Sequence, residues 1–153
     1  MTGAIKKLSA AALLAVTMLM LCACSGEKPA YVGTWTVESY EWADELHRDN
    51  NAGYEATVIL NEDGTYSLSE YYYNLPEPVN SRESTHEARG SYTVGEGQLV
   101  LKADYAKSVF NGQTSETSKP ENDVLTLKQD GEKLSYVLGD PNFFSYVTLK
   151  KEG

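Results

Sequence analysis

From Tyr31 onward apolar and polar residues alternate with a period of two, and glycine, asparagine and aspartate break the alternation at intervals. Successive side chains of a strand point to opposite faces, so this pattern predicts strands with one buried and one wet face. Eight are predicted. Thr34 to Trp42 puts Trp35, Val37 and Ser39 on one face; Tyr54 to Asn61 does the same with Tyr54, Ala56, Val58 and Leu60; Thr65 to Tyr73 does so with Tyr66, Leu68, Glu70 and Tyr72. His86 to Val94 turns His86, Ala88, Gly90, Tyr92 and Val94 one way, Gln98 to Tyr105 turns Leu99, Leu101 and Ala103, and Asn122 to Gln129 turns Leu125 and Leu127. A seventh strand carries Leu134, Tyr136 and Leu138, and the eighth, Phe143 to Lys150, is apolar on both faces. No segment has a helical stripe.

The connections set the architecture. Asp63 and Gly64 supply the positive φ angles of one tight hairpin, Gly95 to Gly97 make a second, and Asp130 and Gly131 a third. The other connections are long: Ala43 to Gly53, Asn74 to Thr85 and Ala106 to Glu121. In a meander successive connections alternate between ends, so the tight turns fall at one end and the long loops at the other. The expected fold is all-β, an eight-stranded antiparallel up-and-down barrel in which the last strand pairs with the first and removes both edges. A barrel of that size is filled by side chains or holds one small ligand.

What precedes the strands tells where the protein works. Lys6 and Lys7 form a positive region, Leu8 to Leu21 an apolar run and Ala23 a small residue, the layout of a secretory signal. The run is short for a membrane span, which takes ~20 apolar residues. Leu21, Cys22, Ala23 and Cys24 resemble a bacterial lipoprotein cleavage box, in which Cys24 becomes the lipid-bearing first residue. The alternative is an ordinary cut after Ala23 that leaves an unpaired cysteine. The resemblance implies three parts: a lipoprotein signal peptide at 1–23, a tether at 24–30 and a barrel domain at 31–153. It also implies export, with a lipid on Cys24 holding the domain to the cell membrane and facing outward. Extended, the tether reaches no more than about 20 Å. It enters the first strand at the tight-turn end, which would put that end towards the bilayer.

Charge and cysteine narrow the partners. The sequence holds 13 basic and 22 acidic residues, net −9, and losing Lys6 and Lys7 with the signal makes it −11. Nucleic acid and anionic headgroups are repelled by such a domain. With Cys22 removed and Cys24 at the N-terminus, the folded part has no thiol and depends on core burial, for which about 120 residues suffice.

Gly33, Thr34 and Trp35 resemble the Gly-X-Trp signature of lipocalins. The likeness extends to strand number, meander order and loop placement over residues 31–153, and is nearest to the compact lipocalin-like domains of bacterial lipoproteins. It implies that Gly33 and Trp35 mark the closed end, with the tryptophan as its plug. It implies no particular function.

Chemical motifs are sparse. The chain has no Gly-X-Ser-X-Gly elbow, His-Glu-X-X-His pair or phosphate-cradling glycine loop, and no cysteine nucleophile in the domain. Neither catalysis nor a cofactor is expected. Asp44, Glu45, His47 and Asp49 sketch a metal site, but Asp49, Asn50, Asn51 and Gly53 lack calcium-loop order, and a solvated loop with no metal is the simpler reading. Glu70, Tyr72 and His86 fall on inward positions near the open end, where they either orient a ligand or reach water through fraying strands. Tyr54, Tyr66, Tyr92 and Tyr136 also face inward; with Glu70, Tyr72 and His86 they either line a ligand site or fill the barrel. Tyr71 and Tyr73 face outward, as plain strand residues or as part of a protein contact. Two functions follow: binding of a small, partly apolar or aromatic ligand, or a packed interaction module whose loops contact an envelope protein.

Overall fold

The computed structural model describes residues 28–43, 45–76, 82–121, 123–138 and 145–153. Among the described residues nine strands are present: β1 Gly33–Glu41, β2 Gly53–Leu60, β3 Thr65–Tyr73, β4 Ser84–Gly95, β5 Gln98–Phe110, β6 Gln113–Ser118, β7 Val124–Asp130, β8 Lys133–Leu138 and β9 Ser145–Lys151. A one-turn helix, α1, spans Glu45–Asp49 between β1 and β2. All pairings are antiparallel, and eight strands close a barrel in the order β1, β2, β3, β4, β5, β7, β8, β9. The closing seam joins β1 to β9, from Trp35 opposite Lys151 to Glu41 opposite Tyr146. This is the expected meander, and closure leaves no free edge along β1 or β9.

The tight turns have the required backbone. Gly64, Gly97 and Gly131 have φ of 81°, 76° and 59°, and Glu96 joins Gly97 at 40°. Asp63 works differently from the expected positive φ: its Oδ1 accepts the Thr65 amide at 2.9 Å and the Thr65 hydroxyl at 2.6 Å. Those bonds hold its carboxyl below the ordinary range.

Four further expectations need correction. The long loop predicted over Ala106 to Glu121 is mostly a hairpin. β5 continues to Phe110, Asn111 and Gly112 turn the chain at φ 52° and 72°, and β6 returns with Phe110 opposite Gln113 and Tyr105 opposite Ser118. Asn-Gly with two left-handed residues is a favoured two-residue hairpin turn. β6 is wholly exposed, a ninth strand outside the eight-strand circuit. The second correction is α1, a single helical turn within the long connection predicted over Ala43 to Gly53, where no helical stripe is read. Third, Ser39 is exposed, because the register of β1 against β9 shifts between Val37 and Ser39 and such a bulge reverses the alternation. Fourth, Val94 is 47% exposed, since β4 runs past the barrel floor there.

A second bulge lies between Arg89 and Gly90, where β4 shifts against β5. Gly90 has a packing reason: a Cβ there would stand 2.1 Å from the Lys102 carbonyl oxygen. β5 also divides its other edge, with β7 along Gln98–Lys102 and β6 along Tyr105–Phe110.

One seam is short. β7 and β8 pair only at Lys128–Ser135, Gln129–Leu134 and Asp130–Lys133, next to their turn. Beyond it Val124–Leu127 are in the part of β7 whose ladder is with β5 alone, and Tyr136–Leu138 are paired with β9. The wall therefore parts from the long-loop end downward.

The interior has two zones. At the tight-turn end Trp35, Val58, Leu60, Leu99, Leu101, Leu127, Leu134 and Leu149 are at most 1% exposed. Each such side chain contributes roughly 1.5–3 kcal/mol by burial. Trp35 lies opposite Val58 and Lys151, its indole N–H donates to the Tyr31 carbonyl at 2.8 Å, and the Lys151 ammonium stands 5.9 Å from its ring centre. Gly33, two residues before, takes φ 140° opposite Leu60, beside the β2–β3 turn. The other zone, towards the long connections, is polar.

A buried carboxyl among phenols

The polar zone is built from adjacent strands. Pairing of β2 with β3 sets Tyr54 opposite Tyr72 and Ala56 opposite Glu70, and pairing of β3 with β4 sets Glu70 opposite His86. Inward alternation then brings these side chains into the barrel. Tyr136 enters from β8, across the interior.

Glu70 is 7% exposed, unusual for a glutamate. Its Oε1 accepts from the Tyr54 hydroxyl, and the Tyr72 hydroxyl lies 3.5 Å from the same oxygen. The Tyr54 and Tyr136 hydroxyls are 2.5 Å apart. The arrangement that gives a carboxylate its donor runs Tyr136 O–H to Tyr54, then Tyr54 O–H to Glu70. The Tyr54 and Tyr72 rings stand 4.8 Å apart, tilted by 49°.

Burial is the main influence on every acid here. It pushes the Glu70 carboxyl up, against the hydrogen bond from Tyr54 and the nearby imidazole of His86, which favour the charged form. It pushes the hydroxyls of Tyr54, Tyr72 and Tyr136 up as well, and the Glu70 charge reinforces each. The phenols therefore keep their protons and act as donors at neutral pH.

His86 stands beside this group. Its Nδ1 is 2.8 Å from the Ser108 hydroxyl and its Nε2 is 3.8 Å from the Asp123 carboxylate. The fraying considered for this region does not occur: β3 stays paired to β2 and β4 through Tyr72, and Glu70 is enclosed. His86 and Asp123 are half-buried.

Ser108 and Asp123 were not singled out by the sequence. Asp123 precedes Val124 in phase with inward Leu125 and Leu127, so alternation alone would have placed it. Ser108 was hidden by ending the fifth strand at Tyr105.

The other expected lining residues lie outside this hydrogen-bonded group. Tyr66 is buried, its hydroxyl pushed up to about 12 by burial and by the charges of Asp123 and Asp104. Tyr92 belongs to the tight-turn end, where its hydroxyl donates to the Asn61 carbonyl at 2.5 Å and its ring meets Tyr31 edge-on at 6.0 Å. Cys24 lies outside the described residues, as does Asp44 of the sketched metal site. His47, on α1, stacks on Trp42 with ring centres 4.7 Å apart, and the Trp42 indole donates to the Ala52 carbonyl at 2.6 Å. Among the described residues no group of three or more His, Cys, Asp or Glu is placed to hold a metal, and no helix is long and apolar enough to cross a membrane. On the outer wall the Tyr71 and Tyr73 rings lie 5.6 Å apart.

Where the β7–β8 ladder lapses, a cavity of about 470 Å³ is lined by Val124, Leu125, Tyr136, Val137, Tyr146 and Val147 among others. Tyr136 thus borders this cleft and is hydrogen-bonded into the Glu70 group.

No family model matches the chain, and no curated protein is similar to it. Among solved structures it is similar to Rv2717c from M. tuberculosis, at 12% identity and a TM-score of 0.34, over 81% of this chain and 94% of that one.

Proposed function

We propose that this chain is an exported lipoprotein, held to the cell membrane by a lipid on Cys24, whose lipocalin-like barrel binds a small, partly apolar molecule from outside that membrane. The observation that carries this is the Glu70 carboxyl, buried among three tyrosine hydroxyls in the half of the barrel nearest the long connections. Enclosing a carboxyl is costly unless it is paired or bound to something. Hydroxyl-bearing rings around it suit a ligand with one polar and one apolar part. Residues 28–32 lie at the tight-turn end, with the Lys28 ammonium 2.9 Å from Glu62 and Tyr31 against Tyr92. A short tether from Cys24 would therefore hold the closed end to the bilayer and turn the long connections outward. Capture from the medium fits that orientation better than extraction of lipid from the same bilayer.

The second reading is an interaction module with a solid core. It is favoured by the dense aliphatic packing of the closed half and by exposed Val124, Val137 and Tyr146 on the wall. Native mass spectrometry of protein released gently from its cells separates the two. The binding reading expects a co-purifying small molecule that is lost on activation; a clean apo mass overturns it. Cys24→Ser should move the protein from the membrane to the soluble fraction, and continued membrane sedimentation would overturn the anchor.

A further inference from the structure

Two carboxyls, Glu70 and Asp123, stand on inward positions of the polar zone. The charged groups acting most strongly on Glu70 are His86, which favours its ionised form, and Asp123, which opposes it. His86 is already engaged by Ser108 and Asp123. A buried carboxylate is ordinarily balanced by lysine or arginine. Here Glu70 has neutral phenols as its hydrogen-bond partners.

The rings of those phenols present faces as well as hydroxyls, and aromatic faces attract cations. The chain as a whole is net −9, a charge that draws cations and repels anions. Beside this group lies the cleft of about 470 Å³ between β7 and the β8–β9 pair, within the usual range of small-molecule sites. Val124, Leu125, Val137 and Val147 give its lining an aliphatic part, beside the rings of Tyr136 and Tyr146, and Thr126, Lys128, Ser135 and Thr148 complete it. Tyr136 belongs to both places, lining the cleft and hydrogen-bonded to Tyr54 at 2.5 Å.

Building on the reading that the barrel binds a small ligand, we propose that the ligand is an amphipathic amine. Its protonated nitrogen takes the Glu70 carboxylate within reach of the Tyr54 and Tyr72 rings, and its apolar part occupies the cleft where β7 and β8 separate. A fatty acid or other anion would meet two carboxyls, and a neutral ligand would bring Glu70 no counter-charge of its own.

The test uses dansylcadaverine, a primary alkylamine carrying an apolar fluorophore, and its N-acetyl derivative, which keeps the shape and loses the charge. Both are titrated into the purified protein by fluorescence anisotropy. The proposal expects the amine to bind at least tenfold more tightly than the acetylated compound. Glu70→Gln should lower affinity for the amine at least tenfold and leave the acetylated compound unchanged. Val124→Lys, at a position 51% exposed, should weaken the amine at least tenfold by adding a second cation to the cleft that Lys128 already lines.

Equal binding of both compounds overturns the amine while leaving the small-ligand reading intact. Absence of saturable binding by either also overturns it, and native mass spectrometry then decides the broader reading separately. If Val124→Lys binds the amine as well as the parent does, the cleft is not where the apolar part sits. Should Glu70→Gln fail to fold, the comparison of the two compounds on the parent protein still decides.

Discussion

Glu70 illustrates how one side chain ties stability to pH. Burial raises its carboxyl above the ordinary value of 4.5, so the native protein takes up this proton at a higher pH than the unfolded chain does. Stability falls with pH wherever the native state binds more protons than the unfolded one. Glu70's contribution is thus fully present below the ordinary carboxyl value and is lost as pH rises through the raised one. Glu70→Gln keeps an acceptor for Tyr54 and removes the titration. Its melting temperature should exceed that of the parent most at neutral pH, and the gap should shrink as pH falls towards the ordinary carboxyl value. A gap independent of pH in thermal scans would show that burial of this group carries no charge cost. Asp63 has the opposite sign: its lowered carboxyl favours the fold above the ordinary value and ceases to do so in acid.

At the scale of elements, the two bulges decide what alternation can reveal. Gly90 permits the β4–β5 bulge by leaving room for the Lys102 carbonyl, so Gly90→Ala should cost about 1–3 kcal/mol in urea unfolding. Gly95→Ala, with nothing within 4 Å of the added methyl, is the control and should change little. Equal effects would detach Gly90 from the bulge. Strand existence, inward phase and the tight turns were legible because each rests on residues close in sequence. The bulge that exposes Ser39 was not, because it comes from how β1 meets β9 more than a hundred residues away. The β6 hairpin was missed for another reason: Gln113–Ser118 is polar on both faces and has no alternation, although Asn111-Gly112 announced the turn. Inward placement of Glu70, Tyr72 and His86 came from phase alone. The convergence of Tyr136 and Asp123 on them depends on barrel closure, which local phase does not contain.

For the whole molecule, the seam between β1 and β9 has a bearing on how the chain assembles. Every neighbouring strand pair except β1–β9 joins segments near in sequence, while this one must bring together Trp35 and Lys151. Closing so large a loop carries an entropic cost that grows as about (3/2)RT ln n, met before the contacts that offset it exist. The meander can zip hairpin by hairpin, leaving circularisation as the slow step. The two ends are then fastened together: the Lys151 ammonium reaches the Ala30 carbonyl at 2.8 Å and the Glu152 amide reaches the Thr34 carbonyl at 2.9 Å. A backbone-cyclised domain, with Gly153 joined to Lys28 through a short glycine linker and the chain opened nowhere else, turns that distant seam into a hairpin and creates no other distant one. The cyclised domain should refold faster in stopped-flow mixing and unfold at nearly the parental rate. If it refolds no faster, ring closure is not the rate-limiting event, and the order of zipping must be sought at the short seam between β7 and β8.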